Sequence, residues 1–232
     1  MPIAFNPFRA LYTRQQVHEA TGLSLDLLGY WIKEGLLRAK EAEGLGRGKH
    51  RRFGFEALHI VAILAEVHHY GVGLTGLRPI ADILWDVAAL PERFPGVTEN
   101  AVLDCKVLHS ARRRYPPRVS CVSATDNDED VECFEDWLDT QQAIAPIDPM
   151  AFELEHIFTP SLHIAFALYF DLFSDRTFVD LDIRLFVVRL PSGRVAILPT
   201  DVPESGKIPL LSAYLSLNVS SIIHSIWDGI HD

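Results

Sequence analysis

The run Glu43-Gly44-Leu45-Gly46-Arg47-Gly48-Lys49-His50-Arg51-Arg52 sets anion-binding side chains among glycines. Arg47, Lys49, Arg51 and Arg52 put four cations into six positions, and three glycines precede or separate them. Glycine lets a backbone come close to a phosphate. Arginine and lysine neutralise that phosphate, and an arginine can also enter a DNA minor groove. The aromatic pair Phe53 and Phe55 follows, so the segment reads as a two-stranded wing with a flexible cationic tip. The plainer alternative is a solvated hairpin whose charges prevent edge pairing.

Other candidate chemistry is weaker. Cys105, Cys121 and Cys133 are three thiols at wide spacing, with no Cys-x-x-Cys pair. Three thiolates can hold a soft metal, but buried unpaired thiols fit the spacing better, so no metal site is expected. The stretch from Asp126 through Asp128 and Asp130 imitates a calcium loop. Val131 stands where that loop needs glycine, and Trp137 where it needs a bidentate acid. There is no phosphate-binding glycine loop, nucleophile elbow or His-Glu-x-x-His motif. Asp180 and Asp182 share one strand face without further support. The chain is therefore expected not to be an enzyme and to need no cofactor.

The elements ahead of the cationic run give it a setting. Thr13 followed by Gln16 has capping-box spacing. A helix carrying Val17 and Ala20 on one face then ends at Thr21-Gly22. Ser24 caps a second helix over 25–34, in which Leu27, Leu28, Trp31 and Ile32 form an apolar stripe. Two short helices about a glycine turn make a helix-turn-helix, whose second helix offers its polar face to a DNA major groove. Residues 36–39 then read as a short strand. Helices are expected over 56–70 and from Thr75 to about residue 90, with Pro79 near the first turn of the second.

This order of pieces resembles the DNA-binding domain of the MerR family of bacterial regulators over about residues 12–85. The carriers are Tyr12-Thr13, Thr21-Gly22-Leu23-Ser24, Tyr30-Trp31, Lys33-Glu34-Gly35-Leu36-Leu37, Arg51-Arg52-Phe53 and Tyr70-Gly71-Val72-Gly73-Leu74. The resemblance implies a winged helix-turn-helix that binds double-stranded DNA as a homodimer. Ser24 and Tyr30 match backbone-contacting positions, and Arg51 matches the wing arginine. Arg47, Lys49 and Arg52 join them on charge, and Arg14 and Lys33 complete the expected DNA-binding set. Trp31 is expected in the core. The sequence departs from the family at Gly29, where arginine normally precedes the aromatic pair, and Asp26 adds a negative charge nearby.

A helix over 99–114 follows, lined by Ala101, Val102, Cys105, Leu108 and Ala111 or Arg112. The resemblance implies a dimerising coiled-coil helix here; an ordinary helix packed inside one domain fits equally. Beyond it, 118–124 alternates like a strand, and helices are expected over 150–156 and 161–173. A hairpin is expected over 181–198, a strand over 213–217, and a last helix to 230 capped by Ser220. The expected organisation is a mainly α winged domain (1–91), a linker helix (92–117) and an α+β regulatory or dimerisation domain (118–232).

The net charge of −10 excludes a protein that coats nucleic acid with its whole surface. It is unevenly spread: residues 1–60 hold 9 basic and 6 acidic residues. With 48% apolar residues, no signal-peptide pattern at 1–11 and no membrane-spanning stretch, a soluble cytoplasmic protein is expected. The leading expectation is a sequence-specific transcription regulator, with RNA polymerase or a small-molecule effector as further partners and no membrane. Two other readings stay open. One is a DNA-architectural or excision accessory factor. The other is a protein-interaction module with a degenerate DNA-binding domain.

Overall fold

Thr13 closes the capping box its spacing predicts. The Gln16 N–H donates to Thr13 Oγ1 at 3.2 Å, and the Thr13 N–H donates to Gln16 Oε1 at 2.9 Å. From there the computed structural model gives α1 (Arg14–Thr21) and α2 (Leu25–Lys33). It describes residues 11–40, 51–115, 133–157, 159–174, 182–189, 193–198 and 214–231. Gly22 ends α1 at φ 68°, a left-handed conformation that side chains disfavour, and its N–H returns to His18 O at 2.9 Å. Ser24 caps α2 by accepting from the Leu27 N–H.

The further helices are α3 (Phe55–His69), α4 (Leu74–Ala88), α5 (Leu90–Arg93), α6 (Glu99–Arg114), α7 (Phe134–Ile144), α8 (Pro149–Glu155), α9 (Pro160–Phe173) and α10 (Val219–His231). Strands β1 (Arg184–Arg189), β2 (Val195–Leu198) and β3 (Tyr214–Asn218) form one antiparallel sheet in the order β2-β1-β3. The fold is thus mainly helical, with a small sheet near the C-terminus. The expected hairpin is present, Phe186 facing Leu198 and Arg189 facing Val195.

The chain divides into two compact units. One comprises 1–90 together with 167–232, the other 91–166. The break after 90 lies one residue from the boundary expected at 91, whereas the second unit runs on past 117 and the residues from 167 onward join the first unit. In the first unit α10 packs against α1 and α3, and β2 lies on α4. The apolar stripe of α10, with Ile223, Ile226 and Trp227 all buried, finds its cover there. The segment after 166 is therefore part of the N-terminal helices' core rather than of a domain with 118–166. The core of this unit centres on α3, where Leu58, Ile60, Val61, Ile63 and Leu64 are fully buried. A helix enclosed on all sides loses the amphipathic periodicity that sequence reading relies on.

In the second unit α6 packs against α7 and α8. The face expected to be apolar, with Ala101, Val102, Cys105, Leu108 and Ala111, is the buried one. The Arg112 guanidinium pairs with Glu155 and lies 4.2 Å from the Phe134 ring centroid.

Four local expectations are corrected. Residues 36–39 form no strand, because the Leu36 and Leu37 N–H groups donate to Trp31 O, and Leu36 O accepts from Trp85 Nε1 at 2.9 Å. With those backbone groups already engaged, Tyr12 is the residue that bridges to Phe53. Gly73, not Thr75, stands at the start of α4. Pro79 consequently lies in the second turn, where it lacks the N–H that would bond Thr75 O. Ser220 does not cap α10: its Oγ accepts from the Ile183 N–H, and Asn218 Oδ1 takes the Ser221 N–H instead.

The expected strand over 118–124, the acidic stretch 126–132 and Asp180 lie outside the described residues. No helix among the described residues is long and apolar enough to cross a membrane.

Candidate nucleic-acid interface

Helix α2 divides its surface by spacing. Leu28 and Trp31 point inward and are buried, as expected for Trp31, whose ring meets His68 edge-on at 6.0 Å. Leu25, Gly29 and Ile32, at i, i+4 and i+7, share a second face. Asp26, Tyr30 and Lys33 share a third and are exposed, Tyr30 by 46%.

The second face forms the wall of a cleft of about 650 Å³. Its other sides carry Arg14 from the start of α1, and Arg51 and Arg52 from the segment leading to α3. Two backbone connections hold that segment. The Tyr12 N–H donates to Phe53 O at 2.8 Å and the Phe53 N–H to Tyr12 O at 2.9 Å. The Lys40 N–H donates to Arg52 O at 2.9 Å, tying together the two ends of the 40–52 segment. Beneath this floor Tyr12 is buried, and burial pushes its phenol up to about 12, so it stays neutral.

The described cations of residues 11–88 fall into two groups. Arg38 pairs with Asp82 at 3.1 Å, Lys40 with Glu56 at 3.1 Å, and Arg78 with Glu34 at 2.7 Å. Arg14, Arg51 and Arg52 line the cleft and make no ion pair among the described residues, as is also true of exposed Lys33. An intramolecular carboxylate would have to be displaced before an external anion could bind; at the cleft none has to be. Three guanidiniums around one concavity repel one another, and a phosphate between them relieves that repulsion through charge-assisted hydrogen bonds.

Of the residues expected to meet DNA, the structure brings Arg14, Arg51 and Arg52 to one cleft. Ser24, Tyr30 and Lys33 are exposed on α2 and its cap, outside the cleft lining. The Ser24 hydroxyl already accepts the Leu27 N–H, which leaves its proton free to donate outward. Arg47 and Lys49 lie outside the described residues. Gly29, at which the sequence departs from the family, is part of the cleft wall. Its spacing from Leu25 and Ile32 was the available signal.

The thiols have different surroundings. Burial, with Glu155 adding to it, pushes the Cys105 thiol up to about 11, which disfavours the thiolate a metal needs. Cys133 Sγ donates to Asp136 Oδ2 at 2.8 Å. Cys121 lies outside the described residues. Among the described residues no group of three or more histidine, cysteine or acidic side chains is placed to hold a metal ion.

No family model matches the chain, and no curated protein matches it.

Proposed function

We propose that the protein is a sequence-specific, DNA-binding transcription regulator that acts as a homodimer and not as an enzyme. Helices α1 and α2 are read as a helix-turn-helix, and the 40–52 segment as its wing. The observation that carries this reading is the convergence of Arg14, Arg51 and Arg52 on one cleft against α2, without carboxylate partners among the described residues, while Arg38, Lys40 and Arg78 each hold one. The resemblance of residues 12–85 to MerR-type domains agrees with it.

Charge distribution adds support. Residues 91–166 hold 6 basic and 14 acidic residues, whereas the unit carrying the cleft holds 15 and 17. The acidity that argues against nucleic acid is thus concentrated in the other unit. A nearly neutral body with a local cluster of arginines favours one oriented footprint over general coating.

The test is genome-wide mapping of bound sites, paired with the double variant Arg51→Ala and Arg52→Ala. Each lost phosphate contact makes the negative slope of log affinity against log salt shallower by about 0.9, so two make it shallower by about 1.8. Sharp sites upstream of promoters, abolished in the variant, support a regulator. Bending of DNA without transcriptional effect supports the architectural reading instead. Unchanged affinity and slope in the variant would sink the wing assignment.

A further inference from the structure

A glycine in the middle of a helix costs about 1 kcal/mol relative to alanine. Gly29 occupies such a position in α2 without a positive φ, so the backbone does not require it. What the missing side chain leaves open is space. A Cβ built on Gly29 would lie 3.5 Å from Arg14 Nη1, and among the described residues no other heavy atom beyond its own stretch of helix comes within 4 Å. That distance is ordinary contact for one methyl group. A longer side chain turned toward Arg14 would enter the volume that the guanidinium occupies.

We propose that Gly29 and Arg14 act as a pair. The bare surface at Gly29 seats the Arg14 guanidinium against α2, and the seated guanidinium joins Arg51 and Arg52 in holding one phosphodiester of the duplex backbone. A cation rooted in the first helix is thereby delivered to the surface of the second. Gly29 is a positioning residue that acts through Arg14, and Arg14 is the ligand.

The surroundings fit this role. Arg14 leaves α1 at its first position, where the capping box of Thr13 and Gln16 fixes the backbone. Leu25 and Ile32 flank Gly29 on the same face. They give the methylene stem of an arginine an apolar surface while its charged head stays wet. The planar guanidinium also presents paired donors suited to phosphate oxygens. This inference rests on the DNA-binding reading.

The experiment uses the full chain and a duplex carrying a mapped site, with affinity measured by fluorescence anisotropy across a salt series. The variants are Arg14→Ala, Gly29→Leu and the two together. Gly29→Gln serves as a second, polar intruder where leucine impairs folding. Arg14→Ala is expected to make the negative log–log salt slope shallower by about 0.9. Gly29→Leu is expected to make it equally shallow, and the double variant no shallower, because the second change removes a contact already lost. Losses that add, or an unchanged slope in both Gly29 variants, overturn the pairing while leaving DNA binding intact. No salt-sensitive duplex binding by the unaltered chain overturns the functional reading and the pairing together. Inorganic phosphate titrated without DNA separates the two sources of the anion. Saturable phosphate binding by a chain that ignores duplex assigns the cleft to a free anion and overturns the proposal.

Discussion

Trp227 Nε1 donates a hydrogen bond of 3.0 Å to His59 Nε2, joining residues 168 positions apart inside one core. His59 is fully buried in α3, and its other nitrogen, Nδ1, donates to Leu172 O at 2.6 Å. The two bonds fix a neutral imidazole with the proton on Nδ1. One side chain of the N-terminal helices therefore fastens both α9 and α10. The same indole ring meets Tyr12 edge-on at 5.8 Å, and Tyr12 is the residue bridged to Phe53. Contact is thus continuous from the C-terminal helix to the base of the segment that carries Arg51 and Arg52.

Stability is expected to fall in mild acid because of this histidine. Burial pulls its pKa down from 6.5 to about 4, against the opposing effect of the bond to Leu172. The unfolded chain takes up a proton as pH drops through about 6.5, while the folded chain refuses it until about 4. The contribution is fully present above about pH 6.5 and is lost progressively between there and about pH 4. A displacement of this size corresponds to roughly 3 kcal/mol. Urea unfolding at several pH values should show the loss in the unaltered chain and a shallower one in His59→Gln. Equal pH dependence in both would remove His59 as its source.

Trp227→Phe keeps an aromatic ring in the core and removes only the N–H. His59 Nε2 is then a buried acceptor without that donor. Leaving such a group unsatisfied costs about 1–3 kcal/mol. The variant should lose that much in denaturant unfolding at pH 7 with an unchanged slope, and a loss near zero would show that the bond contributes nothing net. By the same logic a fragment ending at residue 90 lacks both Trp227 and Leu172. It should not give a cooperative unfolding transition, whereas a cooperatively folding fragment would show that the N-terminal helices form a domain of their own.

Local chemistry made several helix starts legible in the sequence. Thr13, Gln16, Ser24 and Thr98 announce helix starts through side chains that bond their own backbone. The hairpin of β1 and β2 was equally local. What stayed hidden were long-range choices. Nothing near His59 in sequence states that Leu172 and Trp227 are its partners, and an apolar helix such as α10 fits either of two cores. The cleft was half legible. The cations were plain from composition, but their separation into paired and unpaired ones depends on Asp82, Glu56 and Glu34, each supplied by a distant part of the chain. Gly29 reads only as a missing arginine in the sequence, because its neighbour Arg14 belongs to another helix.

Cys105 should behave as an inert core thiol. It is fully buried and burial raises its pKa to about 11, so little thiolate exists at pH 8. Labelling with a thiol reagent at that pH should be slow in the folded chain and rapid in urea. Rapid labelling of Cys105 without denaturant would show that the α6 face opens. Cys105→Ser should destabilise the fold by about 1–3 kcal/mol, since it places a hydroxyl where the thiol packs as a small apolar group.

Gly29→Ala separates the helical cost of glycine from its spatial use. The added methyl would meet Arg14 Nη1 at 3.5 Å, an ordinary contact that requires no displacement. Alanine also restricts the unfolded chain and favours the helix. The expected outcome is a gain of about 0.5–1 kcal/mol, read as a raised midpoint in thermal or urea unfolding. Gly29→Leu shares most of the propensity gain but competes with the guanidinium for the space over Gly29, so it should stabilise less than alanine does. If leucine stabilises as much as alanine, the Arg14 side chain has no defined seat on α2. If alanine itself destabilises, the space over Gly29 is more crowded than a 3.5 Å contact implies.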